Sequence, residues 1–281
     1  MLYRVTHTTR YTYETPVSYC VNEARLTPRA LANQQVRENT VRVEPSPGFL
    51  RHRWDYFGND VTSFGVFEKH DHFEAAAESL VEVRPAVFEG DSPLTWEEAS
   101  HFSVDSLEAS GFLYESPFVP MSVELAEYAR KTFAPHLPFM AGLKELSHRI
   151  NTEFEYKAAS TSIDMPLGEV LQKRRGVCQD FAHIMIGALR SLRLAARYVS
   201  GYVRPGPRVQ GAQASHAWVS VFVPGSGWLS FDPTNDLMPS DSHITLAWGR
   251  DYGDVPPVKG VTLGGGKQNV EVEVYVKPVE D

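Results

Sequence analysis

A cysteine stands where a helix is predicted to begin, and a basic segment precedes it. Cys178 follows Gly176 and the cationic run 173–175, and apolar residues then recur three and four positions apart over 181–192. This spacing predicts an amphipathic helix with Cys178 on its buried face. The partial positive charge of a helix N-terminus and the nearby cations both favour a thiolate. The sequence therefore predicts that Cys178 is a nucleophile.

A histidine and an aspartate lie on two segments that alternate like paired strands. His216 opens the first segment and Asp232 closes the second, with the turn-forming run 224–227 between them. If the loop is odd in length, so that Phe222 lies opposite Trp228, then His216 and Asp232 are diagonal neighbours on one face. An even loop without a bulge would place them on opposite faces.

These three residue types together can transfer an acyl group. An imidazole takes the proton of a thiol and later returns it to the leaving group, and a carboxylate holds the imidazole in the required tautomer. We therefore expect Cys178 to act as the nucleophile, His216 as the general base and Asp232 as the orienting carboxylate.

An oxyanion that develops during such a reaction needs hydrogen-bond donors. The backbone N–H of Cys178 is one candidate, and the loss of a single donor typically costs about 2.7–4 kcal/mol in the transition state. The sequence does not single out a second donor; the candidates for this role or for substrate contact are Tyr156, Gln172, Gln179 and Trp218.

The elements that must position these residues alternate between helix and strand. Before the helix that begins at Cys178, helices are predicted over 122–133, 139–151 and 166–172. After it, strands are predicted over 197–203, 216–223 and 228–232. The expected fold class is α+β, with the helix of the nucleophile packed on an antiparallel sheet.

Strand patterns dominate the chain before this region. They are predicted at 3–13, 36–43 and 75–83, with a hairpin of 54–57 and 61–67 around Gly58, and the segment 22–29 shows no strong period. These short strands predict an antiparallel β-sandwich. We expect the β-sandwich at 1–85, a proline-punctuated linker at 86–121, a catalytic core at 122–240, and a C-terminal loop and strand that pack on the body at 241–281.

The composition narrows the classes of binding partner and the cellular compartment that can be expected. The chain has 281 residues, a net charge of −8, 42% hydrophobic residues and two cysteines. The negative charge disfavours a nucleic-acid or membrane partner, and the two cysteines are expected to be reduced thiols of a cytoplasmic protein. No cofactor or metal site is expected; the motif His70-Asp71-His72 could bind a metal, but a polar strand edge is the preferred interpretation.

Three sequence blocks around the candidate triad resemble those of bacterial transglutaminase-like proteins, which have a papain-like core. The blocks are GVCQDFAH at 176–183, SHAWV at 215–219 and WLSFDPTN at 228–235. The segment 25–29, the β-rich region to Val83, and His243 with 249–257 resemble further parts of that family. The resemblance implies the same roles for Cys178, His216 and Asp232.

The resemblance implies chemistry through a thioester but leaves its outcome open. Members of the family are described both as transglutaminases and as cysteine proteases. We expect acyl transfer from a peptide, protein or small amide to Cys178, with hydrolysis of the thioester favoured. Two alternatives are transfer to an amine, as in a protein-glutamine transglutaminase, and a non-catalytic binding domain on a papain-like fold.

Overall fold

The chain folds as an α+β protein built on two antiparallel sheets. The computed structural model describes residues 1–86, 93–157, 165–207, 209–212 and 214–279. A seven-stranded sheet lies mostly in the N-terminal part of the chain, and a four-stranded sheet lies in the C-terminal part. This confirms the fold class expected from the sequence.

One long strand organises the larger sheet. The seven strands of the sheet are β1 (Leu2–Ala24), β2 (Gln34–Glu44), β3 (Phe49–Trp54), β4 (Asp60–Val66), β5 (His70–Val83), β12 (Val258–Gly264) and β13 (Gln268–Pro278). The first half of β1 pairs with β5 and β13, and its second half pairs with β4 and β12. A register shift between Thr12 and Val17 separates the halves. Two four-stranded layers therefore share β1, and Phe64 of one layer meets Phe73 of the other.

Two local predictions in this sheet are wrong. The segment 22–29 was expected to lack a strand, but β1 continues to Ala24 because β4 and β12 pair with it on both sides. The hairpin around Gly58 exists, but its first strand is β3, which ends at Trp54. Asp55 accepts hydrogen bonds from the backbone N–H groups of Phe57 and Asn59, each at 2.9 Å, so these residues form the turn instead.

Six α-helices are described, and along the chain all of them lie between the N-terminal strands and the four-stranded sheet. They are α1 (Trp96–Asp105), α2 (Leu107–Ser110), α3 (Val123–Arg130), α4 (Phe139–Glu153), α5 (Leu167–Lys173) and α6 (Cys178–Ser191). The first two occupy the segment expected to be a linker, where Thr95 and Glu98 form a capping box. Ser122 caps α3, as predicted. None of the helices in the described ranges is long and apolar enough to cross a membrane.

The smaller sheet has the order β10-β9-β8-β11. Its strands are β8 (Ala196–Val203), β9 (His216–Val223), β10 (Gly227–Phe231) and β11 (His243–Gly249). Phe222 pairs with Trp228, which confirms the odd hairpin loop on which the placement of His216 and Asp232 depends. Alternate residues of β9, beginning at Ala217, pack with α6 in the main hydrophobic core. Two-residue strands β6 (Glu155–Tyr156) and β7 (Arg175–Gly176) pair in parallel beside α6.

The end of the chain holds more regular structure than its sequence pattern indicated. β11 was missed because a bulge between Thr245 and Ala247 interrupts its alternation. β12 was missed because its residues are mostly exposed and include glycines. A glycine turn joins it to β13, which contains the strand predicted at 270–276. Both terminal strands return to β1, so the two ends of the chain complete one sheet. The division into domains stays a prediction.

Candidate active site

Cys178 is the first residue of α6 and is 9% exposed. The local sequence explains the helix start, because Asp180 accepts a hydrogen bond of 2.9 Å from the backbone N–H of Val177. The carboxylate folds back over Gly176, where a Cβ would lie only 2.6 Å from Asp180 Oδ2. A glycine is therefore required two residues before the cysteine. Asp180 therefore has a structural role in the first turn of α6.

The cationic run before Cys178 does not act as the sequence indicated. Lys173 forms an ion pair with Glu169, and Arg174 forms one with Glu153 at 3.2 Å. Arg174 also stacks on Tyr128. These two charges are paired with carboxylates, so they give little support to a thiolate. Arg175, the N–H groups at the start of α6 and the nearby imidazole remain as sources of positive charge.

His216 and Asp232 form a buried pair. His216 Nε2 lies 2.8 Å from Asp232 Oδ2, and neither side chain is accessible to solvent. His216 begins β9, and Asp232 directly follows β10, so the confirmed hairpin register brings them to one end of the sheet. This pairing matches the geometry in which a carboxylate orients a general base.

Asp232 accepts more hydrogen bonds than the sequence suggested. Besides His216, Oδ2 receives bonds from His243 Nε2 at 3.2 Å and Asn235 Nδ2 at 2.8 Å. Oδ1 receives bonds from the backbone N–H groups of Thr234 at 2.9 Å and Asn235 at 3.2 Å. A buried carboxylate with this many donors remains ionised.

The electrostatics of the pair follow from this network. Burial alone would raise the pKa of Asp232, but the charge and hydrogen bond of His216, together with His243, hold that pKa well below its usual range. Burial alone would lower the pKa of His216, but Asp232, with a smaller contribution from Cys178, raises it. The pair therefore stabilises the imidazolium that forms when His216 accepts a proton.

The second imidazole nitrogen is available to Cys178. His216 Nδ1 forms no hydrogen bond with any described residue, yet Cys178 is close enough to help raise the pKa of His216. Catalytic contacts of this kind are often long in the absence of substrate. Gly211 approaches Nδ1 closely: its φ is 82°, and a Cβ there would be 2.5 Å from that nitrogen. A side chain at this position would therefore collide with the imidazole.

The four other candidates named from the sequence separate into two groups. Tyr156 pairs with Gly176. Burial raises the pKa of Tyr156 to about 12, with smaller contributions from Cys178 and Asp232, so its phenol lies at the site. Gln179 is half-exposed next to the cysteine and lines a cavity of about 390 Å³.

Trp218 and Gln172 lie farther from the cysteine. Trp218 is buried on β9, where its ring is 6.1 Å from the His216 ring. Gln172 is exposed on α5 and lines a groove shared with α3. None of the described contacts joins Gln172 to Cys178.

Two residues of the network were not assigned a role from the sequence. Asn235 bonds to Asp232 and also exchanges hydrogen bonds with the backbone of Gln210, with Gln210 N at 2.8 Å from Asn235 Oδ1. His243 opens β11 and reaches Asp232 from the other side. Asn235 follows Asp232 by three residues, a spacing typical of side chain to backbone turns, whereas nothing local marks His243.

The same network contains the make-up of a metal site. One ligand atom from each of His216, Asp232 and His243 lies within 4.8 Å of the others. However, Asp232 Oδ2 already accepts hydrogen bonds from both imidazoles, at 2.8 and 3.2 Å. Binding of a metal would break both hydrogen bonds, so we interpret the cluster as a hydrogen-bond network.

Other polar residues considered from the sequence have structural contacts. His70 is buried and His72 is exposed, so the two do not share a face as expected for a metal pair. His183 is buried, and its Nε2 accepts a hydrogen bond of 3.2 Å from Tyr252 N. Asp251 accepts a hydrogen bond of 2.8 Å from Phe118 N and packs on the core.

Comparison with known proteins places the chain in a family. Residues 3–82 match the bacterial transglutaminase-like N-terminal region, and residues 126–233 match the transglutaminase-like superfamily. The crystal structure of a candidate cysteine protease from Cytophaga hutchinsonii has the same fold, with a TM-score of 0.79 at 21% identity over 100% of this chain and 92% of that one.

Two curated relatives were also found. A protein-glutamine gamma-glutamyltransferase of Pseudomonas aeruginosa is 29% identical over 126 residues, which are 43% of this chain and 19% of that protein. An uncharacterized protein of Mycobacterium tuberculosis is 36% identical over 99% of this chain and 93% of its own length. With similarity along its whole length and both family models matched in order, the chain belongs to the bacterial transglutaminase-like family.

Proposed function

We propose that the protein is a cysteine-dependent enzyme that transfers an acyl group from an amide or peptide bond to Cys178. One observation carries the proposal: the buried pair of His216 Nε2 and Asp232 Oδ2 at 2.8 Å, with His216 Nδ1 left without a hydrogen bond among the described residues. In this arrangement the carboxylate fixes the tautomer, and the free nitrogen can accept the proton of Cys178.

The reaction would proceed in two halves. His216 Nδ1 takes the proton of Cys178, and the thiolate attacks the carbonyl carbon of the amide. The tetrahedral intermediate collapses to a thioester as the leaving amine or ammonia takes the proton from His216. A water molecule then gives a proton to His216 and attacks the thioester, which releases a carboxylic acid and restores Cys178.

The oxyanion would be held by groups at the start of α6. The backbone N–H of Cys178 is in the first helical turn, where no intrahelical acceptor is available to it. Tyr156 is the best supported second donor of the four candidates, because burial keeps its phenol protonated and it lies near both Cys178 and Asp232. Gln179 directly follows Cys178 in the chain and lines a cavity at the start of α6, which supports a role in substrate contact.

Hydrolysis is the favoured fate of the thioester. Water needs no binding site of its own, whereas transfer requires a second site that holds an amine next to Cys178. The similarity to a protein-glutamine gamma-glutamyltransferase supports amine transfer as the second candidate. A peptide, a protein or a small amide is the proposed substrate class, and a cytoplasmic location remains part of the proposal.

Mass spectrometry of a glutamine-containing peptide separates these outcomes. The peptide is incubated with the protein in the presence and absence of a labelled primary amine. A new carboxylate or a cleaved bond indicates hydrolysis, and incorporation of the label indicates transfer. Substitution of Cys178 by alanine should reduce either activity by about 10⁴-fold or more.

The other cysteine provides the matched control. Cys20 is also a free, buried thiol, and it lies on β1 beside Asn22. Cys20→Ala should retain the turnover of the parent protein, and His216→Ala should slow the alkylation of Cys178 by iodoacetamide. No turnover of the peptide, together with equal alkylation rates in the parent and His216→Ala, would favour a binding domain instead.

A further inference from the structure

The four-stranded sheet carries a pocket on the face that points away from α6. The pocket has a volume of about 430 Å³, which lies within the range of ligand sites in proteins. The rings of Trp218, Trp228 and Trp248 line it, as does Arg197. It is separate from the cavity beside Gln179 at the start of α6.

A row of polar side chains crosses the floor of this pocket. Arg197 of β8 pairs with Ser220 of β9, and Ser220 pairs with Ser230 of β10. Residues that pair directly in an antiparallel sheet point to the same face. One guanidinium and two hydroxyls therefore lie side by side across three strands, and all three residues line the pocket.

The guanidinium of Arg197 has no hydrogen-bond acceptor among the described residues. Its side chain is 9% exposed, its Nε has no hydrogen-bond partner, and it forms no ion pair with any residue in the described ranges. The guanidinium contacts the rings of Trp228 at 4.1 Å and Trp248 at 3.8 Å. A guanidinium has five N–H donors, so this one has donor capacity that the fold leaves unused.

A second buried arginine shows how this fold satisfies such a group when its role is structural. Arg190 of α6 donates to the carbonyl oxygens of Phe112 at 3.0 Å, Ala196 at 2.9 Å and Arg250 at 2.6 Å. Arg197 has no comparable set. Burial lowers the pKa of Arg197 to about 9, so the group remains cationic at neutral pH.

We propose that this pocket binds a small organic anion whose carboxylate or phosphate group pairs with Arg197. The planar guanidinium suits the two oxygens of either group, and Ser220 and Ser230 can donate to the same oxygens. The tryptophan rings provide flat apolar walls for the rest of the molecule. The ligand class is therefore an aromatic or apolar carboxylate or phosphate ester.

The pocket and the candidate active site are adjacent. Trp218 and His243 line the pocket, and they also contact the His216–Asp232 pair. A molecule bound in this pocket would thus be next to Trp218 and His243, which in turn contact the His216–Asp232 pair. The binding proposal does not depend on the proposed reaction and can be tested without it.

Tryptophan fluorescence and thermal unfolding provide two direct readouts of binding. Three of the five tryptophans in the chain line the pocket. Benzoate, phenyl phosphate and inorganic phosphate serve as anionic probes, and benzamide is the neutral probe of the same shape as benzoate. Benzoate or phenyl phosphate should quench the fluorescence and raise the melting temperature, with benzamide at least tenfold weaker. The stronger of the two anions identifies the preferred head group.

Substitutions then assign the binding to Arg197. Arg197→Gln should weaken the anion at least tenfold, whereas Arg84→Gln should leave it unchanged because Arg84 is exposed and paired with Glu82. Ser220→Asp places a carboxylate directly opposite Arg197 on the neighbouring strand; this variant should unfold at a higher temperature and no longer bind the probes. Equal affinity for benzoate and benzamide, unchanged affinity in Arg197→Gln, or no binding of any probe would overturn the proposal.

Discussion

Two buried charged groups lie on the same face of the four-stranded sheet, and their surroundings differ. Asp232 accepts hydrogen bonds from His216, His243, Asn235 and the backbone. The guanidinium of Arg197 makes no hydrogen bond within the described parts of the chain and contacts two tryptophan rings instead. The Asp232 carboxylate therefore has its hydrogen bonds supplied by the fold, whereas the Arg197 guanidinium keeps N–H donors without an acceptor among the described residues.

This difference separates a reaction site from a binding site. The network around Asp232 fixes one imidazole orientation and leaves His216 Nδ1 without a hydrogen bond to any described residue, which is what a general base requires. The guanidinium of Arg197 is held flat between rings with its donors unused, which is what an anion receptor requires. Trp218 lies between the two regions, so the same strand supports both.

The largest expected effect comes from changing the charge of Asp232 while keeping its shape. Asp232→Asn should lower amide turnover by about 10⁴-fold, because an amide can hold the wrong tautomer of His216. Steady-state kinetics on the glutamine peptide measure this loss. Benzoate should still bind at Arg197 with the affinity of the parent protein.

Asp236→Asn is the matched control for that variant. Asp236 pairs with exposed His148 at 2.7 Å and has a φ of 52°, a backbone conformation that asparagine tolerates well. Its turnover should equal that of the parent protein. Near-normal turnover in Asp232→Asn would show that the buried pair is structural and would remove the main support for the proposed function.

The next effect is on stability. His216→Ala should lower the free energy of unfolding by about 3 kcal/mol, because it removes the partner of a buried carboxylate and leaves a cavity. Urea unfolding at pH 7 gives this value. His148→Ala removes an exposed histidine with a similar carboxylate partner, and it should change the stability by less than about 1 kcal/mol.

The stability that the pair contributes should depend on pH in a defined window. The pKa of His216 is raised, so its contribution is complete below about pH 6.5 and is lost as the pH rises through the folded-state pKa. The pKa of Asp232 is lowered, so its contribution is complete above about pH 3.9 and is lost as the pH falls through the folded-state value.

The difference between parent and His216→Ala is therefore greatest from about pH 4 to about pH 6.5. It should decrease above this range by up to about 1.4 kcal/mol per pH unit. Urea unfolding at pH 5.5 and pH 9 measures the change. A difference that grows toward pH 9 would contradict the assigned direction of the His216 shift.

The sequence predicted the contacts that depend on local pattern. Helical spacing identified the start of α6 and the burial of Cys178, and the strand alternation placed His216 near Asp232 on the condition of an odd hairpin loop, which the structure has. Contacts between distant segments left no such pattern. His243 reaches Asp232 only because β11 joins the sheet beside β8, and a bulge hides that strand.

The same limit applies to the charges of the molecule. The run 173–175 looked like a source of positive potential, but a local i,i+4 ion pair with Glu169 and a tertiary ion pair with Glu153 neutralise two of its members. Arg197 looked like the ordinary first residue of a strand. Its isolation from acceptors follows from how β10, β11 and the N-terminal sheet close around it, which no local pattern encodes.

The smallest expected effect tests why Arg197 is buried. Arg197→Met replaces the guanidinium with an apolar chain that can still pack between Trp228 and Trp248. Loss of the cation–π contacts is offset by the removal of an unpaired buried charge, so the stability should change by no more than about 1 kcal/mol. Arg190→Met, which leaves several buried carbonyl oxygens without donors, should cost about 3 kcal/mol or more.

Urea unfolding of these two variants compares a buried arginine that is fully hydrogen-bonded, Arg190, with one that lacks acceptors among the described residues, Arg197. If Arg197 served only to hold the sheet together, its replacement would cost as much as that of Arg190. A small change in stability joined to the loss of benzoate binding would show that the side chain is kept for a ligand. A cost near 3 kcal/mol with benzoate binding unaffected would show the reverse, and the pocket would then be a packing feature of the sheet.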